Sequence, residues 1–165
     1  MNKIISADIP RQIITGSTEG ADAMKITEVL NSGQDIIFVA RDDVGLDRMT
    51  DALTFFAPHI EILKFPAWDC LPYDRVSPRP DVVNNRIRTL SRLLEKNNKK
   101  QKVIITTVSS LLQKVPPREF FQDSTIKICC EDIIDPQKLI ESLYENGFVK
   151  VETVMEPGEL ALRGS

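Results

Sequence analysis

"TGSTEGADA", Thr15 to Ala23, follows the apolar "QII" and leads into a stretch of helical period, the place where a phosphate-binding loop joins its strand to its helix. The loop pattern is G-x-x-x-x-G-K-[ST]. Gly16 supplies the first glycine, but Ala21 stands for the second, Asp22 for the lysine and Ala23 for the hydroxyl residue. The lysine ordinarily neutralises the β- and γ-phosphates, and the hydroxyl ligates magnesium, so both cations are lost. A carboxylate about 4 Å from a phosphate costs on the order of 4 kcal/mol at an effective dielectric of roughly 20, before screening. Two readings stay open: a phosphate loop kept after its chemistry was lost, or a helix N-terminus whose Asp22 complements the helix dipole. Both place a strand before the loop and a helix after it.

Outward from the loop, short apolar runs alternate with helical periods, the pattern of a parallel sheet covered by crossover helices. Gln12 to Gly16 reads as a first strand. "EGADAMKITEVLNSG" supplies Met24, Ile26, Val29 and Leu30 for a helix closed at Gly33. "DIIFVA" (Asp35 to Ala40) reads as a strand buried on both faces. The next helix is capped by Asp42 or Asp43, carries Leu46, Met49, Leu53 and Phe56 on one face, and ends at Pro58. "EILKF" (Glu61 to Phe65) and "KVIITT" (Lys102 to Thr107) complete the expected strands.

Between those last two strands lies "PAWDCLPYDRVSPRPD", Pro66 to Asp81, whose four prolines exclude a regular helix or a central strand. A connection this long is usually functional or packed as a unit, and Trp68 and Tyr73 are its expected anchors. The helix after it places Val83, Ile87, Leu90 and Leu94 at apolar spacing, with Arg86, Arg88, Arg92 and Lys96 on its other faces. Those arginines raise a DNA-binding reading against the plainer one of a solvated basic face, and "KNNKK" reads as a solvated turn.

"SSLLQKV" reads as a short helix ended by Pro116 and Pro117, and the stretch Pro117 to Phe121 as a domain boundary. Beyond it, "STIKICC", "DPQKLIESLYENG" and "KVETVM" read as strand, helix and strand. About 45 residues are too few for a comfortable core, so a fragment whose second domain continues past Ser165 is expected.

Bulk properties narrow the classes. The chain has 165 residues, 42% hydrophobic and 27% charged, enough for one ordinary domain and part of another. A net charge of −3 and a pI near 5.3 exclude an overall basic field for sequence-independent nucleic-acid binding. Cys70, Cys129 and Cys130 lack CxxC spacing and His59 lacks a ligand partner, so no metal site is expected and reduced thiols are. No apolar run reaches a membrane-spanning length, and a cytoplasmic protein is the expectation.

The blocks "FPAWDCLPYDRVSP", "RIRTLSRLL", "VIITTVSSLLQKVPP" and "GFVKVETVMEPGELALRG" resemble, in order and spacing, the N-terminal region of the bacterial transcription-repair coupling factors (Mfd). That region is itself similar to the damage-recognition protein UvrB, whose first domain keeps an intact phosphate loop and a helicase-type ATP site. The resemblance implies an α/β fold: a degenerate P-loop, helicase-like parallel-sheet domain over 1–117, then the beginning of a smaller UvrB domain 2-like unit over 118–165. It implies a non-catalytic module without cofactor that recruits UvrA, the ATPase that begins nucleotide excision repair, while RNA polymerase and DNA are reached through other parts of the parent translocase. Carried over by position, the arginine of "RG" is Arg163, and a second basic contact falls on Lys150. Coupling factors tend to place that arginine one residue earlier, where this chain has Val149. The competing expectation is a helicase-type ATPase domain whose unconventional loop still binds nucleotide.

Overall fold

The computed structural model describes residues 13–18, 20–71, 75–95 and 100–163, the side chains of 122–124 excepted. Its centre is a parallel sheet of three strands, β1 (Ile36–Ala40), β2 (Glu61–Phe65) and β3 (Lys102–Thr107), in the order β1-β3-β2. β3 is the central strand, with both edges paired, and its Val103 and Ile105 are fully buried. The register sets Phe38 beside Ile105 and Leu63 beside Ile104.

Two helices cover one face. α1 (Ala21–Leu30) and α2 (Asp43–Phe56) bring Leu30, Leu46, Met49 and Leu53 against Ala40, Val103 and Ile105. The Asp42 carboxylate caps α2 by accepting from the Gly45 N–H at 2.8 Å, as its position before an apolar period predicts. Asp35 ties β3 to the start of β1, its carboxylate accepting from the Lys102 N–H at 2.9 Å.

On the opposite face α3 (Pro80–Leu94) packs on β2. The buried stripe of α3 is Val82, Arg86 and Thr89, one residue out of phase with the apolar series Val83, Ile87, Leu90 and Leu94, and Ile87 is exposed. The reason is hydrogen bonding at the end of β2. The Lys64 carbonyl accepts from the Thr89 hydroxyl at 2.6 Å, the Phe65 carbonyl from the Thr106 hydroxyl at 2.8 Å, and the Pro66 carbonyl from Arg86 Nη1 at 2.6 Å. Three successive carbonyls are thereby satisfied by side chains, which buried backbone oxygens require.

Arg86 is 2% exposed. Its Nη1 also donates to Ser110 Oγ and Gln113 Oε1, both at 3.1 Å, and its guanidinium lies 4.2 Å from the Phe65 ring centroid and 4.3 Å from that of Trp68. Gln113 Oε1 accepts in addition from the Trp68 N–H at 3.0 Å. Asp69 accepts from the Arg79 N–H, closing the proline-rich segment ahead of α3. Trp68 is the expected anchor; Tyr73 lies outside the described residues, as do Gln12, Lys96 and most of "KNNKK".

Several sequence expectations are corrected. Residues 13–16 form no strand: Ile13 and Ile14 are exposed and pair with no ladder. β1 is not buried on both faces, because it is the edge strand of the described sheet and α3 lies over β2; Ile37 is 65% exposed. The short helix after β3, α4 (Val108–Leu111), stops early, and Gln113 turns inward to Trp68 and Arg86 instead of continuing it. "STIKICC" is irregular with Ile126 and Ile128 exposed, and the Asp132 carboxylate accepts from the Cys129 N–H at 2.6 Å to turn the chain.

Residues Arg118–Ser124 form α5, whose Phe121 is buried and which packs against α3. The helix expected in "DPQKLIESLYENG" is α6 (Pro136–Glu145), capped by Asp135. "KVETVM" yields only β4 (Val149–Lys150), paired in parallel with β5 (Glu159–Leu160). Further on, the Glu159 carboxylate takes the N–H groups of Met155 and Glu156, at 2.7 and 3.0 Å, and turns the backbone there.

Two outcomes follow from the Arg86 cluster. Arg86→Met, close in length but without donors, is expected to lower the unfolding free energy by roughly 3 kcal/mol, the upper range for hydrogen bonds to a charged group; urea unfolding checks this, and a change below about 0.5 kcal/mol would contradict it. Trp68 emission is expected to be blue-shifted and resistant to iodide quenching, whereas a fully solvated spectrum in the folded protein would remove Trp68 as the anchor.

Candidate functional site

The loop before α1 shapes a cavity of about 620 Å³, lined by Ser17, Thr18, Gly20, Asp22, Arg41 and Arg48 among others. Gly20 is the N-cap of α1 and has φ 84°, a left-handed conformation that glycine adopts without steric cost. No side chain of the N-cap serves the helix end. Instead Asp22 Oδ1 accepts from the Ala23 N–H at 2.9 Å. A phosphate at a helix N-terminus uses such N–H groups and the positive end of the dipole, and here a carboxylate of the chain itself takes that place. The geometry therefore explains what Asp22 does: it is the anion of its own helix.

The second candidate surface is the β4–β5 pair. Lys150 and Arg163 are both exposed, Lys150 at the end of β4 opposite Leu160 and Arg163 three positions beyond Leu160. The pairing is extended past Lys150 by the Val151 N–H donating to the Leu160 carbonyl at 2.9 Å. Gly158, at φ 91°, makes the turn into β5. The hydrogen bonds from Met155 and Glu156 hold the Glu159 carboxyl below its ordinary value of 4.5.

The described arginines of the basic series on α3 do not share one exposed face. Arg86 is interior, and burial lowers its pKa, though a guanidinium stays charged at any ordinary pH. Arg92 pairs with Glu61 at 2.5 Å and Glu95 at 2.6 Å, and its pKa is raised chiefly by the Glu61 hydrogen bond. Only Arg88 of the three is exposed without such use. Sequence reasoning missed Arg86, Ser110 and Gln113 as a constellation. The available signal was the i, i+4, i+7 spacing of Val82, Arg86 and Thr89, which shares a helical face as well as the apolar series does.

Among the described residues no group of three or more His, Cys, Asp or Glu could hold a metal ion, and no helix is long and apolar enough to cross a membrane. Cys70, Cys129 and Cys130 are free thiols.

No family model matches the chain. It is similar to the transcription-repair-coupling factor of Rickettsia prowazekii, 35% identical over 81% of this chain, and to that of Rickettsia bellii, 33% identical over 82%. The transcription-repair-coupling factor of Haemophilus influenzae is 31% identical over 96% of this chain. The chain spans 12% to 14% of the length of these relatives.

Two expectations rest on this geometry. Calorimetry with magnesium-ATP is expected to give no saturable heat at a dissociation constant below about 100 μM, roughly −5.5 kcal/mol; such heat would overturn the assignment of Asp22 as the occupant of the helix terminus. Because the folded pKa of Glu159 is depressed, its contribution to β4–β5 stability is full above pH 4.5 and is lost as pH falls through the lower folded value. A side-chain carboxyl NMR titration is expected to place Glu159 below its unfolded value, and coincidence of the two would contradict the turn.

Proposed function

Since this chain matches a segment of the transcription-repair-coupling factors, we propose that it is the UvrB-like, non-catalytic part of such a factor, which recruits UvrA to transcription-blocking damage during nucleotide excision repair. In this reading residues 1–117 keep a helicase-like fold without nucleotide chemistry, and 118–165 begin the unit that meets UvrA. The parent protein is an ATP-dependent DNA translocase of the cytoplasm, and RNA polymerase and DNA are engaged by its other parts.

The observation that supports a binding role is the exposure of both basic residues, Lys150 at the end of β4 and Arg163 three positions past β5. Arginine suits such a role because its planar fork pairs bidentately with carboxylates and loses less entropy per bond than lysine. Asp22 at the α1 terminus favours this reading over the helicase-type ATPase, since it replaces the lysine that a nucleotide site needs. Val149, exposed on β4, occupies the position where coupling factors tend to carry the second basic residue, so Arg163 bears the greater weight.

Arg163→Ala in the full parent protein is expected to weaken UvrA binding by more than about 1 kcal/mol, the usual threshold for an energetically important interface residue. Lys150→Ala is expected to do less and to act mainly on association rate and its salt dependence. Surface plasmon resonance at two salt concentrations, with thermal denaturation as a folding control, measures both. Unchanged affinity for Arg163→Ala removes that residue from the surface, and failure of the unmutated parent protein to bind UvrA removes the recruitment role.

A further inference from the structure

Asn146 and Gly147 end α6 and lead through Phe148 into β4. Asn146 is the C-cap, with φ −86° and ψ 10°, and Gly147 follows at φ 85°. The Gly147 N–H donates to the Tyr144 carbonyl and the Phe148 N–H to the Leu143 carbonyl, both at 3.0 Å. These bonds close a Schellman motif, which takes up carbonyls that a helix end leaves over. The Asn146 side chain joins it: Nδ2 donates to the Ser142 carbonyl at 2.8 Å, and the Asn146 N–H reaches the same oxygen at 3.1 Å.

The same two residues are a reactive pair. In an asparagine followed by glycine, the backbone nitrogen of the glycine attacks the asparagine side-chain carbon, Cγ. The N–Cγ bond forms, the Cγ–Nδ2 bond breaks, and Nδ2 leaves as ammonia with the proton of the glycine N–H. Water then opens the resulting succinimide at either carbonyl, giving aspartate or isoaspartate. Glycine favours this closure because no side chain shields its nitrogen. Asn146 and Gly147 are both exposed, and a Cβ placed on Gly147 would meet nothing within 4 Å. In the closed cap, however, both reacting groups are engaged, the nitrogen on Tyr144 and the side-chain amide on Ser142.

We propose that Asn146–Gly147 is a site of spontaneous deamidation gated by the α6 cap, the succinimide forming only while the Schellman bonds are open. α6 buries no residue fully, and such sparsely buried ends open at low free energy. The product does not rebuild the cap. Aspartate at 146 has no Nδ2 donor for the Ser142 carbonyl and sets a negative charge at the negative end of the helix dipole. Isoaspartate lengthens the backbone and displaces the Gly147 and Phe148 N–H groups from their carbonyls. The residue after Phe148 opens β4, where the Val149 N–H donates to the Gly158 carbonyl at 2.9 Å. Deamidation thus loosens the entry to the strand that carries Lys150, whatever partner that strand meets.

The test incubates the full chain and a synthetic peptide of residues 139–150 side by side at neutral pH over days to weeks. Trypsin releases the same segment from the chain, and Asn146 is its single asparagine, so mass spectrometry with isoaspartate detection reads this site alone. The peptide is too short for a stable helix in water and gives the ungated rate. Hydrogen exchange of the Gly147 N–H gives the opening of the gate, because exchange and ring closure need the same N–H released. Isoaspartate is expected in the peptide, and in the folded chain at a rate at least about tenfold lower, the retardation matching the Gly147 exchange protection within about threefold. Equal rates in chain and peptide, or a retardation far from the exchange protection, overturns the gating. A peptide that yields no isoaspartate overturns the site itself.

Discussion

At the end of β2 the successive carbonyls of Lys64, Phe65 and Pro66 each accept a hydrogen bond from a side chain, and the rest of the structure is arranged around these contacts. Thr89, Thr106 and Arg86 each donate to one. Those donors come from α3 and β3, so one local requirement of the backbone fixes α3 over β2 and draws the end of β3 beneath it. Arg86 extends the arrangement through Ser110 and Gln113, and Gln113 takes the amide of Trp68. A proline-rich segment with no ladder of its own thereby gains a defined course, and its prolines reduce the entropy lost in ordering it.

This polar cluster costs something as well as organising the fold. Removing a guanidinium from water is unfavourable, and the return comes from several hydrogen bonds plus two aromatic rings, not from a counter-ion among the described residues. Buried polar networks of this kind specify one arrangement when satisfied and are costly when a partner is missing. Among the described residues, Arg86 Nε is buried without a hydrogen-bond partner. At the start of α1, by contrast, the Asp22 carboxylate accepts from the Ala23 N–H, so that helix terminus has an anion within the chain.

Much of the sheet domain was legible in the sequence. β2 and β3 fall on the expected residues, because continuous apolar runs between turn signals leave little choice, and Asp42 caps the helix that its position announces. What was illegible depended on tertiary partners. Ile13 and Ile14 have the composition of a strand but no neighbour to pair with in the described sheet, and "STIKICC" was overruled by the Asp132 turn. Arg86 reads as part of a basic series, DNA-facing or solvated, because periodicity counts apolar residues, and nothing local says that an arginine will be recruited by a carbonyl twenty residues away. Of the candidate surface, Lys150 and Arg163 are exposed, and the place of Lys150 depends on a two-residue parallel pairing that no sequence pattern announced.

The account stands on the claim that Arg86 locks the proline-rich segment into the folded body, making it part of the core and not a linker. Amide hydrogen exchange at Trp68 tests this most directly, since that N–H donates to Gln113, which Arg86 holds in place. If the claim is right, the Trp68 amide exchanges with the same opening free energy as the amides of Ile104 and Ile105 in β3, through unfolding of the whole unit. Exchange as fast as that of Arg75 and Val76, on the exposed part of the segment, would show that the segment opens alone and would contradict it.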